Sequence, residues 1–306
     1  MNVVVTGASG FVGSALMRFL AAKQDVFVLG TARSVLPDTK AFLSLDFSQP
    51  FDVTQSLQGT DIVVHCAALV HNMTHGLSLA DYQKINTDAT LCLLRQAEAA
   101  GVKRFVFLSS IKVNGEYTEL GDRFTESVTV PPTDPYGLSK YQAELTLLEF
   151  ARHHRIDVTI IRPPLVYGPG VKANFKKLCT SVKRGIPLPF GMVNNLRSLV
   201  YIGNLVDFIW CCINHPRAAN QTFLISDDHD VSTAELCQCL AKSYRKHAFL
   251  LPIPERGIRW LCSLLGKRSI AMRICGSLVV DISKAKSDLG WVPPYKFEEG
   301  IHATTV

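Results

Sequence analysis

The chain has no uninterrupted apolar run long enough to span a bilayer. Its most apolar stretch, SLVYIGNLVDFIWCCI at 198–213, is broken by Asn204 and Asp207, whereas a spanning helix needs about 20 mostly apolar residues; a strand followed by a buried helix is expected instead. The nine cysteines, Cys66, Cys92, Cys179, Cys211, Cys212, Cys237, Cys239, Cys262 and Cys275, include no C-x-x-C pair and no ligand-like histidine spacing. That pattern argues against a disulfide framework or a metal site and for reduced thiols in a cytoplasm. Basic residues are spread along the chain, with a net charge of only +6, so the concentrated basic face of a nucleic-acid binder is missing. No leader-like segment precedes the first apolar run, so secretion is not expected. Internal repeats and low-complexity tracts are also lacking.

What is present is a large apolar content, 47% of 306 residues, enough for a substantial core in one large or two unequal domains. Short apolar runs, NVVVT, VFVLG, FLSLD, DIVVHCAA, RFVFLSS and DVTIIRPP, alternate with helical patterns at 11–23, 78–100, 134–154 and 171–184. Such alternation predicts an α/β fold with a doubly wound parallel sheet of Rossmann type. After Pro163 the pattern loosens into prolines, glycines and polar turns. We therefore expect a dinucleotide-binding domain over 1–165 and mostly a smaller substrate-binding lobe over 166–306, with some segments returning to the main sheet.

Gly7, Gly10 and Gly13 follow the first strand at three-residue spacing and lead into FVGSALMRFLAAK. Glycine at Gly7 permits a tight turn, Gly10 lets backbone approach a pyrophosphate, and Gly13 lets the helix pack on the sheet. A plain turn between strand and helix is the simpler alternative. Downstream, DPYGLSKYQAE places Tyr136 four residues before Lys140, on one helical face. A lysine so placed can lower a tyrosine's pKa, although the same spacing is common as a solvated pair on surface helices.

Together with TGASGFVG, HCAA, INTDAT, LSSIKVNG, RPPLVYGPG and LGWVP, these motifs carry a resemblance. From Asn2 to about Thr304 the chain resembles the extended short-chain dehydrogenase/reductases, and within them the nucleotide-sugar epimerases, dehydratases and 4-ketoreductases. The resemblance implies NAD or NADP as cofactor. It implies cofactor contacts from Gly7, Ser9, Gly10, Phe11, Val12, Gly13, Asp46, Phe47, Ala67, Ala68, Leu69, Asn86, Tyr136, Lys140 and Pro163. Arg33 stands where an acidic residue would bind the ribose 2′-hydroxyl, which leans towards NADP. The implied catalytic set is Ser110, Tyr136 and Lys140: Ser110, rather than Ser109, bonds the sugar oxygen, and Tyr136, partly ionised by Lys140, exchanges the hydroxyl proton while hydride moves between sugar and nicotinamide. Lys112 could face substrate or solvent. No metal is expected, and His65, His71 and His75 carry no more than a lone-histidine signal.

In the second half, Asn174, Phe190 and Arg197 match in order the family's diphosphate-binding asparagine, uracil site and diphosphate-binding arginine, which implies a UDP-sugar. A further basic residue, Arg268 or Arg273, is expected near them. The leading expectation is a 4-epimerase; the alternatives are an NADPH-dependent reductase of UDP-4-keto-6-deoxy-amino sugars in surface polysaccharide synthesis, or a non-catalytic dinucleotide sensor. A dehydratase is disfavoured because Ile111 and Lys112 stand where its Asp-Glu pair would be. The resemblance also allows a homodimer. One segment resists assignment: RGIRWLCSLLGKR at 256–268 repeats Ile258, Leu261, Leu264 and Leu265 at helical spacing beside Trp260, with basic ends. It reads as a lid helix over the sugar, or alternatively as a helix lying on an anionic membrane.

Overall fold

A computed structural model describes residues 1–33, 42–70, 77–119, 121–264, 266 and 268–306, without the side chains of 268–270. The strands are β1 (Asn2–Thr6), β2 (Phe27–Ala32), β3 (Phe42–Ser44), β4 (Ile62–His65), β5 (Arg104–Leu108), β6 (Asp157–Arg162), β7 (Leu165–Tyr167), β8 (Arg197–Tyr201), β9 (Gln221–Leu224) and β10 (Asp230–Val231). Among the described residues, a seven-stranded sheet runs in the order β3-β2-β1-β4-β5-β6-β9 and a smaller one in the order β10-β8-β7. Every pairing in the large sheet is parallel. Its strands are short β-branched and aromatic runs because both faces are covered: Val3, Val4 and Val5 are all buried. Strand order reverses between β1 and β4, which opens a crevice at the strands' carboxyl ends there.

Two helical layers close the sheet. The helices through this half are α1 (Phe11–Ala21), α2 (Leu79–Gln83), α3 (Ala89–Ala99), α4 (Pro135–His153), α5 (Ala173–Lys183) and α6 (Ile202–Asn214). On one face Leu16 and Leu20 of α1 and Phe208 and Ile209 of α6 pack with Val3, Val5 and Val64. On the other, Leu93 and Leu94 of α3 and Ala143 and Leu147 of α4 pack with Val63, Phe105 and Phe107. Each fully buried large aliphatic side chain stabilises by roughly 1.5–3 kcal/mol, more than any propensity difference along these helices. The segment expected as one helix over 78–100 is instead α2 and α3 joined by a π-helical turn, Lys84–Asp88, that holds Asn86 in the interior.

Beyond β6 the chain builds the smaller lobe with α5, α7 (Thr233–Ser243), α8 (Glu255–Leu264), α9 (Arg268–Cys275), α10 (Ser283–Leu289) and α11 (Phe297–Thr305). Phe175, Phe190, Cys237, Leu240, Phe297 and Ile301 lie in its core. Segments after residue 166 also return to the large sheet: β9 pairs with β6, and α6 lies beside α1. The polar residues that interrupt the apolar stretch 198–213 are both partnered. Asn204 Nδ2 donates to Asp227 Oδ1 at 2.7 Å, and Asp207 accepts from Trp291 Nε1 at 2.9 Å. No helix among the described residues is long and apolar enough to cross a membrane. All nine cysteines are unbonded thiols.

Candidate active site

The glycine turn lies at the switch point. Gly7 has a φ of +66°, and a Cβ there would lie 2.8 Å from Ala67 N. At Gly13 a Cβ would come within 2.2 Å of Gly7 O, so α1 packs on the turn more closely than any side chain allows. Gly10 caps α1 with no side-chain bond to its open N–H groups, leaving the positive helix end free for an anion. Ser9 belongs to the same turn, Phe11 and Val12 begin α1, and Thr6 Oγ1 accepts from Ala67 N at 3.3 Å, drawing the Cys66–Ala68 segment across the turn. A backbone cradle that side chains would fill, facing a helix N-terminus, fits a dinucleotide pyrophosphate. Arg33 is exposed just past β2. Asp46 lies close by, its carboxyl held below the usual range by bonds from Ser48 and, more weakly, by the Arg33 charge. Phe47 sets its ring edge-on to Phe51 and His65, 5.3 and 5.2 Å between centroids.

Asn86 joins the cofactor-side strand end to α4. Its Oδ1 accepts from Leu69 N at 2.8 Å, and its Nδ2 donates to Leu69 O and to Ser139 Oγ, each at 3.0 Å. A π turn is a frequent device at functional positions, and here it lets one asparagine reach both elements.

Asp134 caps α4 by accepting from Gly137 N at 3.1 Å, with Pro135 at the first position. The helix therefore starts beside the end of β5 and carries Tyr136, Lys140 and Glu144 along one face. Lys140 is buried, donates to Leu108 O at 2.7 Å and sits 3.8 Å over the Phe107 ring. Burial lowers its pKa to about 7, against upward pulls from Glu144 and Cys66. Tyr136 moves the opposite way from the expectation that Lys140 would ionise it. Burial pushes the phenol up to about 12, a hydrogen bond with Ser110 works downwards, and Asp134 and Tyr82 add to the rise. Because the ammonium is turned to Leu108 and Phe107, the same-face spacing does not by itself make an ion pair with the phenol.

Ser109 and Ser110 have separate partners. Ser109 donates to Glu144, while Ser110 caps the short turn Ile111–Val113, accepts from Lys112 N at 3.3 Å and bonds Tyr136. The ammonium of Lys112 pairs with Glu116 at 2.9 Å and Asp134 at 3.2 Å, tying the loop to the α4 cap. Pro163 O accepts from Ile111 N at 3.0 Å, which fixes the loop to the end of β6. Sequence reasoning missed the group beneath: Arg162 Nε donates to Glu144 Oε1 and Oε2 at 3.0 and 3.1 Å, and its Nη1 to Asn114 Oδ1 at 3.1 Å and Glu126 O at 2.8 Å. An arginine directly after the apolar pair Ile160–Ile161 in DVTIIRPP was its signal. His65 is buried between Thr6 and Thr90 hydroxyls, with a pKa lowered to about 3 by burial, and so is a neutral structural group. His71 and His75 lie outside the described residues.

In the smaller lobe, Asn174 is exposed in the first turn of α5, whereas Phe190 is buried in the lobe core with Phe175 and Val193. Arg197 opens β8 and donates to Gly276 O at 3.0 Å. Burial, and then the neighbouring charge of Arg273, hold its pKa below the ordinary value. The structure therefore places Arg273 beside Arg197; the side chain of Arg268 lies outside the described set. Two adjacent guanidinium groups with no ion pair to a carboxylate among the described residues make a place that attracts a polyanion.

Comparison with known proteins agrees with this geometry. Residues 3–226 match the model of the NAD dependent epimerase/dehydratase family. A UDP-glucose 4-epimerase from Vibrio cholerae is 46% identical, covering 99% of this chain and 94% of its own. An N-acetyl-α-D-glucosaminyl-diphospho-ditrans,octacis-undecaprenol 4-epimerase from Escherichia coli O157:H7 is 29% identical over 99% and 94% of the two chains. Among solved structures, UDP-glucuronic acid 4-epimerase from Bacillus cereus in complex with NAD superposes with a TM-score of 0.80, covering 100% of this chain and 97% of its own at 22% identity.

Proposed function

The chain belongs to the NAD-dependent epimerase/dehydratase family, and from that premise we propose that it is a nucleotide-sugar 4-epimerase acting on a UDP-sugar. The observation that carries the reading is the hydrogen bond between Ser110 and Tyr136 at the start of α4, in a chain that also has the glycine cradle after β1 and the neighbouring charges of Arg197 and Arg273 in the smaller lobe. The near full-length relative at 46% identity, a UDP-glucose 4-epimerase, supports it.

Each residue has a task in this reading. Ser110 orients the sugar's 4-oxygen by a hydrogen bond, and Tyr136 Oη takes up and returns that hydroxyl's proton. A phenol held near pKa 12 is a poor base at neutral pH; a positive charge bound beside it lowers the pKa in the direction the reaction needs. When bound, NAD supplies a hydride acceptor that gives the hydride back. Its pyrophosphate is held by Gly7, Ser9, Gly10, Phe11, Val12 and Gly13. Asp46, Phe47, Ala67, Ala68, Leu69, Asn86 and Pro163 border the rest of the dinucleotide, and Lys140 holds its ribose. Asn174 and Arg197, with Arg273, bind the sugar's diphosphate, and the Phe190 segment borders the base. Reduced thiols suit a cytoplasmic enzyme.

A second reading, a 4-ketoreductase, is favoured by one observation: Arg33, not a carboxylate, follows β2. Incubating the pure protein with UDP-glucose and UDP-galactose, with and without NADPH, separates the two. Interconversion without net use of NADPH supports the epimerase; inertness towards both sugars, with stoichiometric NADPH consumption on a 4-keto sugar, supports the reductase.

A further inference from the structure

Helix α8 buries only the first residue of its apolar stripe. Ile258 packs into the lobe core, while Trp260, Leu261 and Leu264 remain 66%, 54% and 64% exposed. Arg256, Trp260 and Leu264 lie at successive i,i+4 positions, and Leu261 is alongside, so the outward stripe is apolar with a cation at its N-terminal end. Single exposed leucines need no explanation, but a continuous patch does.

Two segments tied to the approach to α8 carry further exposed apolar side chains. Leu188 N donates to Phe249 O at 2.9 Å, Leu251 N to Leu188 O at 2.8 Å, Gly191 N to Leu251 O at 3.0 Å, and Asn194 N to Glu255 Oε1 at 3.2 Å. These bonds join the chain before β8 to the approach to α8, and along the joined segments Ile186, Met192, Phe249 and Leu251 are exposed. The charge of these segments is predominantly positive. Residues 183–196 and 245–264 contain Lys183, Arg184, Arg245, Lys246, Arg256 and Arg259 against the single carboxylate Glu255. Lys246 Nζ donates to Lys183 O at 2.5 Å, which holds two of these cations together.

We propose that this face docks on an anionic lipid bilayer. Indole and leucine side chains at the headgroup boundary with a basic fringe are the composition of a peripheral membrane contact. The charge selects this occupant: a second copy of the chain would bring a second basic fringe against the first, whereas a bilayer surface of phosphatidylglycerol supplies the opposite sign. Trp260 and Leu264 belong to none of the proposed catalytic, cofactor-binding or substrate-binding sets, so docking and turnover are separable.

The test uses the full chain with vesicles of phosphatidylcholine alone and of phosphatidylcholine with phosphatidylglycerol. Sedimentation with the anionic vesicles only, weakened as salt is raised, is expected, with a blue shift of tryptophan emission. The double variant Trp260→Ser, Leu264→Ser should lose both signals while keeping its turnover of UDP-sugar in solution. Replacing Lys246 and Arg256 by Gln should weaken binding by about fivefold each. No binding to anionic vesicles at low salt, equal binding to neutral ones, or a dimer that the Trp260→Ser, Leu264→Ser variant abolishes would each overturn the proposal.

Discussion

Arg162 grips both carboxylate oxygens of Glu144 in the protein interior, with Nη2 to Oε2 at 2.5 Å and both side chains almost wholly shielded from water. The pair locks the end of β6 to the middle of α4, one turn beyond Lys140 and two beyond Tyr136. A buried ion pair is weak evidence of net stability, but removing one partner leaves the other charged and unpaired at a cost of about 3–5 kcal/mol. Glu144→Gln should lower stability by that order in denaturant unfolding. A loss within the range of a surface substitution would show that the pair does not hold the two elements.

Gly13→Ala places a methyl group against Gly7 O at a distance no real Cβ shows. The opposing atom is backbone, so relief requires moving the turn itself. NAD affinity by calorimetry should fall at least about tenfold while the fold, followed by circular dichroism, survives. Unaltered affinity would place the dinucleotide elsewhere.

Arg197 and Arg273 repel one another, which gives their substitutions opposite effects on stability and binding. Losing a hydrogen bond to a charged group costs about 1.5–3 kcal/mol, so Arg197→Ala should weaken UDP about ten- to a hundredfold. Arg273→Ala should also weaken UDP, yet remove the smaller, charge-repulsion part of the lowering of the Arg197 pKa, burial remaining, and leave the free protein no less stable. Unchanged UDP affinity in both variants would remove the diphosphate site from this place.

The buried Lys140 sets a pH dependence of stability. Its pKa falls from 10.5 to about 7 on folding, so between those values the unfolded chain binds more protons and this lysine opposes folding more as pH drops. Native protein should therefore gain stability relative to Lys140→Met as pH rises from about 7 towards 10.5. A difference that stays flat across that window would mean the ammonium remains charged in the fold.

Much of this site was legible because its signals are local. The glycine spacing at Gly7, Gly10 and Gly13 dictates a turn whatever lies around it, and Tyr136 with Lys140 must share a helical face. What escaped is what the interior decides. The ammonium of Lys140 found Leu108 O and the Phe107 ring before it found the phenol, a choice that depends on where β5 ends. Glu144 and Arg162 come from different elements and look like an ordinary helix carboxylate and a strand-end cation. Arg273 was one of two candidates until β8 and α9 came together. In α8 the apolar period was evident, but its direction, outward or inward, is set by whichever side the lobe core claims.

The central claim is that Tyr136 moves the proton at the sugar oxygen, and turnover of UDP-glucose by Tyr136→Phe tests it most directly, with NAD and UDP affinities measured on the same preparation. The account predicts turnover reduced about a hundredfold or more with both affinities nearly unchanged, because the ring still packs 6.2 Å from Tyr82 and only the hydroxyl is lost. Near-native turnover in that variant would contradict it.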